Sequence, residues 1–159
     1  MSMIKSIYLR PLVFLFLLAG CNPINIFEKS TSFSQHVWKS NQAVAGSFQI
    51  SDTLTAYQTS FVLRHTDAYA YNNIWVDIGI QAPGDSMMYK RYDLSLGNDA
   101  TGWYGTGMDD IWEVRLPLSI EPDVFKKTGE YHYSIRQLMR DEELHEVMSA
   151  GLRVEKIHP

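Results

Sequence analysis

The sequence predicts an all-β fold: a single antiparallel β-sandwich of about seven strands, with one short helix before the last strand. Three observations predict it. Apolar and polar residues alternate with period two in about seven segments, the pattern of strands with one buried and one wet face. Turn residues separate these segments, at "APGD" (82–85), "EPD" (121–123) and "KTG" (127–129), and no gap holds the long helical pattern of a parallel crossover. Aromatic residues reach 13% of the chain, which suits pleated, half-buried surfaces.

Residues 1–20 belong to a different class from the rest. "MSMIKSIYLR" carries Lys5 and Arg10 and no acid, and an apolar run from Leu12 to Ala19 follows. That run is far shorter than the roughly 20 residues a bilayer-spanning helix needs. A basic start, a short apolar middle and small residues at the end read as a secretory signal peptide. "LAGC", ending at Cys21, has the form of a bacterial lipobox, with small residues before the cut and the sole cysteine of the chain just after it. Cys21 is therefore the expected lipid-attachment residue, and its covalent lipid the sole expected prosthetic group. Loss of Lys5 and Arg10 with the signal takes the net charge from −4 to −6. A thioether at Cys21 excludes cysteine catalysis and cysteine-based zinc binding. More than one acyl chain would hold the protein stably on its membrane.

Residues 21–36 have no clean period and are expected to be a tether, with the sandwich occupying 37–159 and a hydrophobic staple or an edge strand starting near Val37. The first alternating segments are "GSFQI" and "SFVLRHT". "NIWVDIGIQAP" follows and places Ile74, Val76, Ile78, Ile80 and Ala82 on one face, with Trp75, Asp77 and Gln81 on the other. "YDLSL" offers Tyr92, Leu94 and Leu96. "IWEVRLPLSI" directs Trp112, Val114, Leu116, Leu118 and Ile120 inward, and Pro117, which has no N–H, assigns that strand to an edge or a bulge. "GEYHYSIRQ" buries Tyr131, Tyr133 and Ile135, and "GLRVEKI" closes the fold. The expected helix is "RDEELHEVMSAG", with Asp141 as cap, Leu144, Val147 and Met148 on one face, and Gly151 as its stop.

Composition narrows the function. Scattered Lys and Arg in an acidic chain form no basic patch, which argues against nucleic-acid binding. The loop "GNDATGWYGTGMDD" (97–110) is the most unusual internal stretch. Its glycines fit neither a P-loop nor a dinucleotide fingerprint, and strands flank it where a phosphate site would need a helix. Asn98, Asp99, Asp109 and Asp110 offer hard oxygens without the alternate spacing of a calcium loop. Trp103, Tyr104, Asp109 and Asp110 make it a candidate interaction loop, set against a wide hairpin whose aromatics fold back over the sandwich. The five histidines lack metal-ligand spacing, and no nucleophile elbow is present. No catalytic residue, metal site or small-molecule substrate is expected.

Four ordered segments resemble the GldH-type gliding-motility lipoproteins of Bacteroidetes. They are "YAYNN", with Tyr69, Tyr71 and Asn73; "GWYGTGMDDI", with Gly102, Trp103, Gly105, Gly107, Asp110 and Ile111; Phe125, Gly129, Tyr131 and Ile135 with the "MRDEEL" that follows (Met139, Arg140, Leu144); and "GLRVEK" from Gly151 to Lys156. The sequence departs from the family pattern at His65 and Thr66, expected to lie in a loop. The resemblance implies a lipoprotein of the gliding and type IX secretion machinery, working through contacts with other machinery proteins and without a catalytic residue. "NPINIF" after Cys21 lacks an early acidic cluster, which points to the periplasmic face of the outer membrane. The alternative is a glycan-binding envelope lipoprotein using Trp103, Tyr104 and Trp75.

Overall fold

The structure is a computed structural model and describes residues 26–157. The signal peptide, Cys21 and His158 lie outside the described residues. Thirteen strands run in chain order: β1 Ile26–Ser32, β2 Val37–Lys39, β3 Val44–Ile50, β4 Tyr57–Thr66, β5 Asn73–Gln81, β6 Met88–Ser95, β7 Gly97–Asn98, β8 Gly102–Trp103, β9 Thr106–Met108, β10 Ile111–Pro117, β11 Gly129–Gln137, β12 Glu143–His145 and β13 Val147–Lys156. Five form one sheet in the order β1-β13-β4-β10-β9, and four form the other in the order β3-β11-β5-β6. Small ladders, β12-β2 and β7-β8, close the ends. All ladders among the described residues are antiparallel. The fold is all-β, as the alternation requires.

The seven alternating segments become β3, β4, β5, β6, β10, β11 and β13. Ile74, Val76 and Ile78 of β5, Tyr133 and Ile135 of β11, and Val44 and Phe48 of β3 face Phe61, Leu63, Val114, Ala150 and Leu152 of the other sheet in one buried cluster. Each such large apolar side chain contributes roughly 1.5–3 kcal/mol relative to exposure. The aromatic surplus has a place too. Phe27, Phe48, Phe125, Tyr57 and Tyr131 pack ring against ring at one end, and Phe33 stacks on Trp38 with centroids 5.1 Å apart. Pro117 sits where an edge allows it. Leu118 N–H bonds the Thr59 carbonyl, so alternation turns the Pro117 nitrogen away from β4, beyond the reach of β9, which covers only Ile111–Glu113. Ile120, expected inward, is fully exposed, because β10 ends at Pro117 and the turn carries it outside.

Two expectations are corrected. The stretch 21–36 is not a tether throughout, since from Ile26 it forms β1, paired along its whole length with β13. Its mixed polarity hid a strand because only Phe27 packs toward the core, while Glu28 and Ser30 face out. The helix over "RDEELHEVMSAG" is also absent. Leu144 pairs with Trp38 in β12, Glu146 takes a left-handed φ of 65°, and Val147 starts β13. Leu144 and Val147 are both buried, but by a strand, a kink and a strand. Asp141 accepts a hydrogen bond from the Tyr71 hydroxyl at 2.7 Å, and Gly151 lies so close to β1 that a Cβ would meet the Lys29 carbonyl at 2.2 Å. Helix propensity is a weak preference, and strand partners remote in sequence override it here.

Candidate functional site

The loop 97–110 splits into two hairpins. Gly97–Asn98 pairs with Gly102–Trp103, and Thr106–Met108 pairs with Ile111–Glu113 around a turn at Asp109 and Asp110. Asn98 organises the first: its carbonyl accepts the N–H groups of Ala100 and Thr101, and its amide donates to the Tyr104 hydroxyl at 2.8 Å. Gly105 joins the two with a φ of 90° against the Glu113 carbonyl, 2.1 Å from where a Cβ would stand, so no other residue fits. Trp103 is half-buried and meets His65 edge-on at 4.6 Å, with Tyr69 beside both. Tyr104 stays partly exposed. Asp109 takes the left-handed φ of 54° that Asp tolerates, and the Asp110 carbonyl accepts the Asp67 N–H. Trp103 lines a hollow with Asn72 and Asp99, whereas Asp109 lines another with Arg64 and Met108. The four loop residues therefore do not converge on one site. Among the described residues, no group of three or more His, Cys, Asp or Glu side chains could hold a metal ion.

His65 is not in a loop. It lies within β4, next to its last residue Thr66, with no exposed surface, and its Nδ1 lies 2.8 Å from the Thr66 carbonyl. Burial pushes its pKa below 6.5, so the ring is neutral with Nδ1–H donating, and Nε2 is left without a hydrogen-bond partner. It serves as an aromatic wall for Tyr69 and Trp103.

A separate surface hollow lies where β5 begins and β11 ends. Tyr71, Asn73 and Trp75 form one wall, Leu138, Met139 and Arg140 the other, and Arg91 of β6 closes it around about 430 Å³. The register places it. Gln137 pairs with Val76, after which β11 turns away. The Leu138 N–H still reaches the Trp75 carbonyl at 2.8 Å, but the Trp75 N–H is met only by the Met139 thioether at 3.3 Å. Gln137 holds the departing chain through the Met139 N–H and the Asp141 carbonyl. Trp75 is 40% exposed and Leu138 37%, on the outward face that alternation assigned to Trp75. The polar groups nearby are largely engaged: the Tyr71 hydroxyl with Asp141, which raises its pKa, the Asn73 amide with Asp93 at 2.6 Å, and Arg91 with Asp77 at 3.2 Å. Arg140 is exposed and makes no ion pair among the described residues. Sequence reading named Trp75 but missed this groove. Two segments of the family resemblance, "YAYNN" and the one containing "MR", supply Tyr71, Asn73, Met139 and Arg140, and only the fold brings them together.

The comparisons with known proteins follow the same lines. The family model described as GldH lipoprotein matches residues 25–154. A curated relative, the gliding motility lipoprotein GldH of Flavobacterium johnsoniae, is 24% identical over 147 residues, covering 88% of this chain and 90% of the relative. Among solved structures, the infectious bursal disease virus VP2 subviral particle aligns over 84% of this chain and 33% of its own, at 13% identity and a TM-score of 0.31. That likeness is too slight to carry an argument.

Proposed function

Since the chain belongs to the GldH lipoprotein family, we propose that it is a lipid-anchored, non-enzymatic component of the gliding-motility and type IX secretion-associated envelope machinery, acting through protein–protein contacts. The observation that carries the reading is family membership over residues 25–154; the groove beside Trp75 supports its second half, because an exposed apolar and cationic hollow suits a partner. Cys21 would carry the lipid and hold the protein on the periplasmic face of the outer membrane.

The position of β1 refines how the anchor would work. Five peptide steps separate Cys21 from Ile26, a reach of at most about 18 Å. The sandwich would sit against its membrane rather than stand far off it. Ile26 lies at the end of the fold where Phe27 packs on Phe48, opposite Tyr131. The groove begins at Leu138, seven residues further along β11, about 23 Å away along the strand. The groove would thus be at the end remote from the lipid.

Deletion of the gene is expected to stop surface adhesin movement, with Cys21→Ser reproducing the defect while the protein is still made. Unchanged movement and secretion in the deletion strain would refute the reading.

A further inference from the structure

We propose that the groove between β5 and the end of β11 binds an extended segment of a partner protein that carries a carboxylate flanked by apolar side chains. The inference deepens the protein-contact reading above and rests on it for the groove's orientation away from the membrane.

The groove's own chemistry selects this occupant. The Tyr71 hydroxyl and the Asn73 amide N–H are committed to Asp141 and Asp93, and Arg91 to Asp77, so the charged group at the hollow without an ion pair among the described residues is the Arg140 guanidinium. A guanidinium has five donors and no acceptor, whereas a neutral sugar hydroxyl asks for both. Those five donors call for an acceptor-rich, negatively charged group, and among the described residues no carboxylate lies within ion-pair distance of Arg140. The Trp75 N–H points the same way. Its acceptor is a thioether, among the weakest available, on a side chain flexible enough to swing aside for a carboxylate oxygen. Trp75 and Leu138 then provide an apolar bed beside the charged point, which a bare anion would leave unused.

The surroundings favour a peptide chain. Arg91 lies on β6, the outermost strand of the four-stranded sheet, whose outer backbone groups meet no other strand among the described residues. Such an edge accepts an added strand, with main-chain bonds giving affinity and alternate side chains giving selectivity. The anchor's reach leaves a lipid headgroup at the wrong end of the molecule.

The test pans a randomised dodecapeptide library displayed on phage against the full lipidated chain in detergent micelles, with an oligouronate titrated separately. The expected result is enrichment of peptides with Asp or Glu beside apolar residues. Their affinity should fall at least tenfold in Arg140→Ala and in Trp75→Ala, stay unchanged in Lys126→Ala, and weaken in 0.5 M salt. Thermal melts would show that the variants remain folded. Enrichment without an acidic bias, affinity indifferent to both groove variants, stronger binding to the oligouronate, or no enrichment at all would each overturn the proposal. If deletion stops movement but cells carrying Arg140→Ala and Trp75→Ala together move normally, the inference fails while the family-level reading stands.

Discussion

The two outward faces of the sandwich treat their charges in opposite ways. On the five-stranded sheet, Arg64, Glu113, Arg115, Glu28, Arg153 and Glu155 form one chain of alternating sign, with nitrogen–oxygen distances between 2.6 and 2.9 Å at its links. Three cations meet three anions, and Arg115 reaches Glu28 from β10, past β4 and β13. Glu28 accepts from both Arg115 and Arg153, which holds its carboxyl below the usual range, against the opposing effect of partial burial. That face is satisfied by itself and pins β1 to the sheet. On the four-stranded sheet, Arg91 has one longer partner, Arg136 lies over the Tyr89 ring at 5.1 Å, and Arg140 has none among the described residues. Trp75, Tyr89 and Leu138 lie exposed between them. A closed ion network stabilises a fold, whereas an unpaired cation such as Arg140 beside exposed aromatics is free to meet something else.

The sharpest way to break this contrast is charge reversal at the network's centre. Glu28→Lys removes the acceptor of two arginines and adds a fourth cation, and should lower the unfolding free energy by about 2 kcal/mol in a denaturant melt. Arg91→Ala on the other sheet should change it by less than about 0.5 kcal/mol. Equal losses would show that the two faces do not differ.

Acid should come next in effect. His65 has a folded pKa below 6.5, so the unfolded chain takes up the proton first; stability is complete above about 6.5 and falls as pH drops below it. Glu28 has a folded pKa below 4.5, so its contribution is complete above about 4.5 and is lost as pH falls through the lower folded value. Melting temperature followed from pH 7.5 to 3.5 should therefore decline in two stages. His65→Phe should flatten the first stage only, and Glu28→Gln the second. The smallest effect is expected from salt. Half-molar sodium chloride should cost the wild type a few tenths of a kcal/mol through its partly exposed network, and Glu28→Gln less. Identical salt sensitivity in the two would mean that the network contributes little.

The periodic parts of this fold were legible in the sequence, and the parts made by contact were not. β5 could be read from Ile74 to Ile80 because every second residue is apolar and the polar residues between them face solvent. β1 could not, because an edge strand needs only one core residue, Phe27, to hold it when a neighbouring backbone supplies the rest. The segment 141–148 has a helix's spacing, and its true conformation depends on Trp38, about a hundred residues away in sequence, and on Thr66, about eighty residues away. The groove was hidden for the same reason: Trp75 could be assigned outward, but its neighbours Leu138 and Met139 come from another strand's end.

The sequence by itself determined the all-β class, the seven principal strand segments, the inward faces of β5 and β11, the family, and the expectation of a lipid on Cys21. Alternation, turn chemistry and a short motif are local, and local patterns survive without a partner. The tertiary structure alone decided that β1 belongs to the sheet, that His65 is buried, that six charges close into a network, and that an arginine and a tryptophan border an open groove. Those outcomes depend on which remote backbones lie side by side, and pairing energy between distant segments is written in no single stretch of the chain.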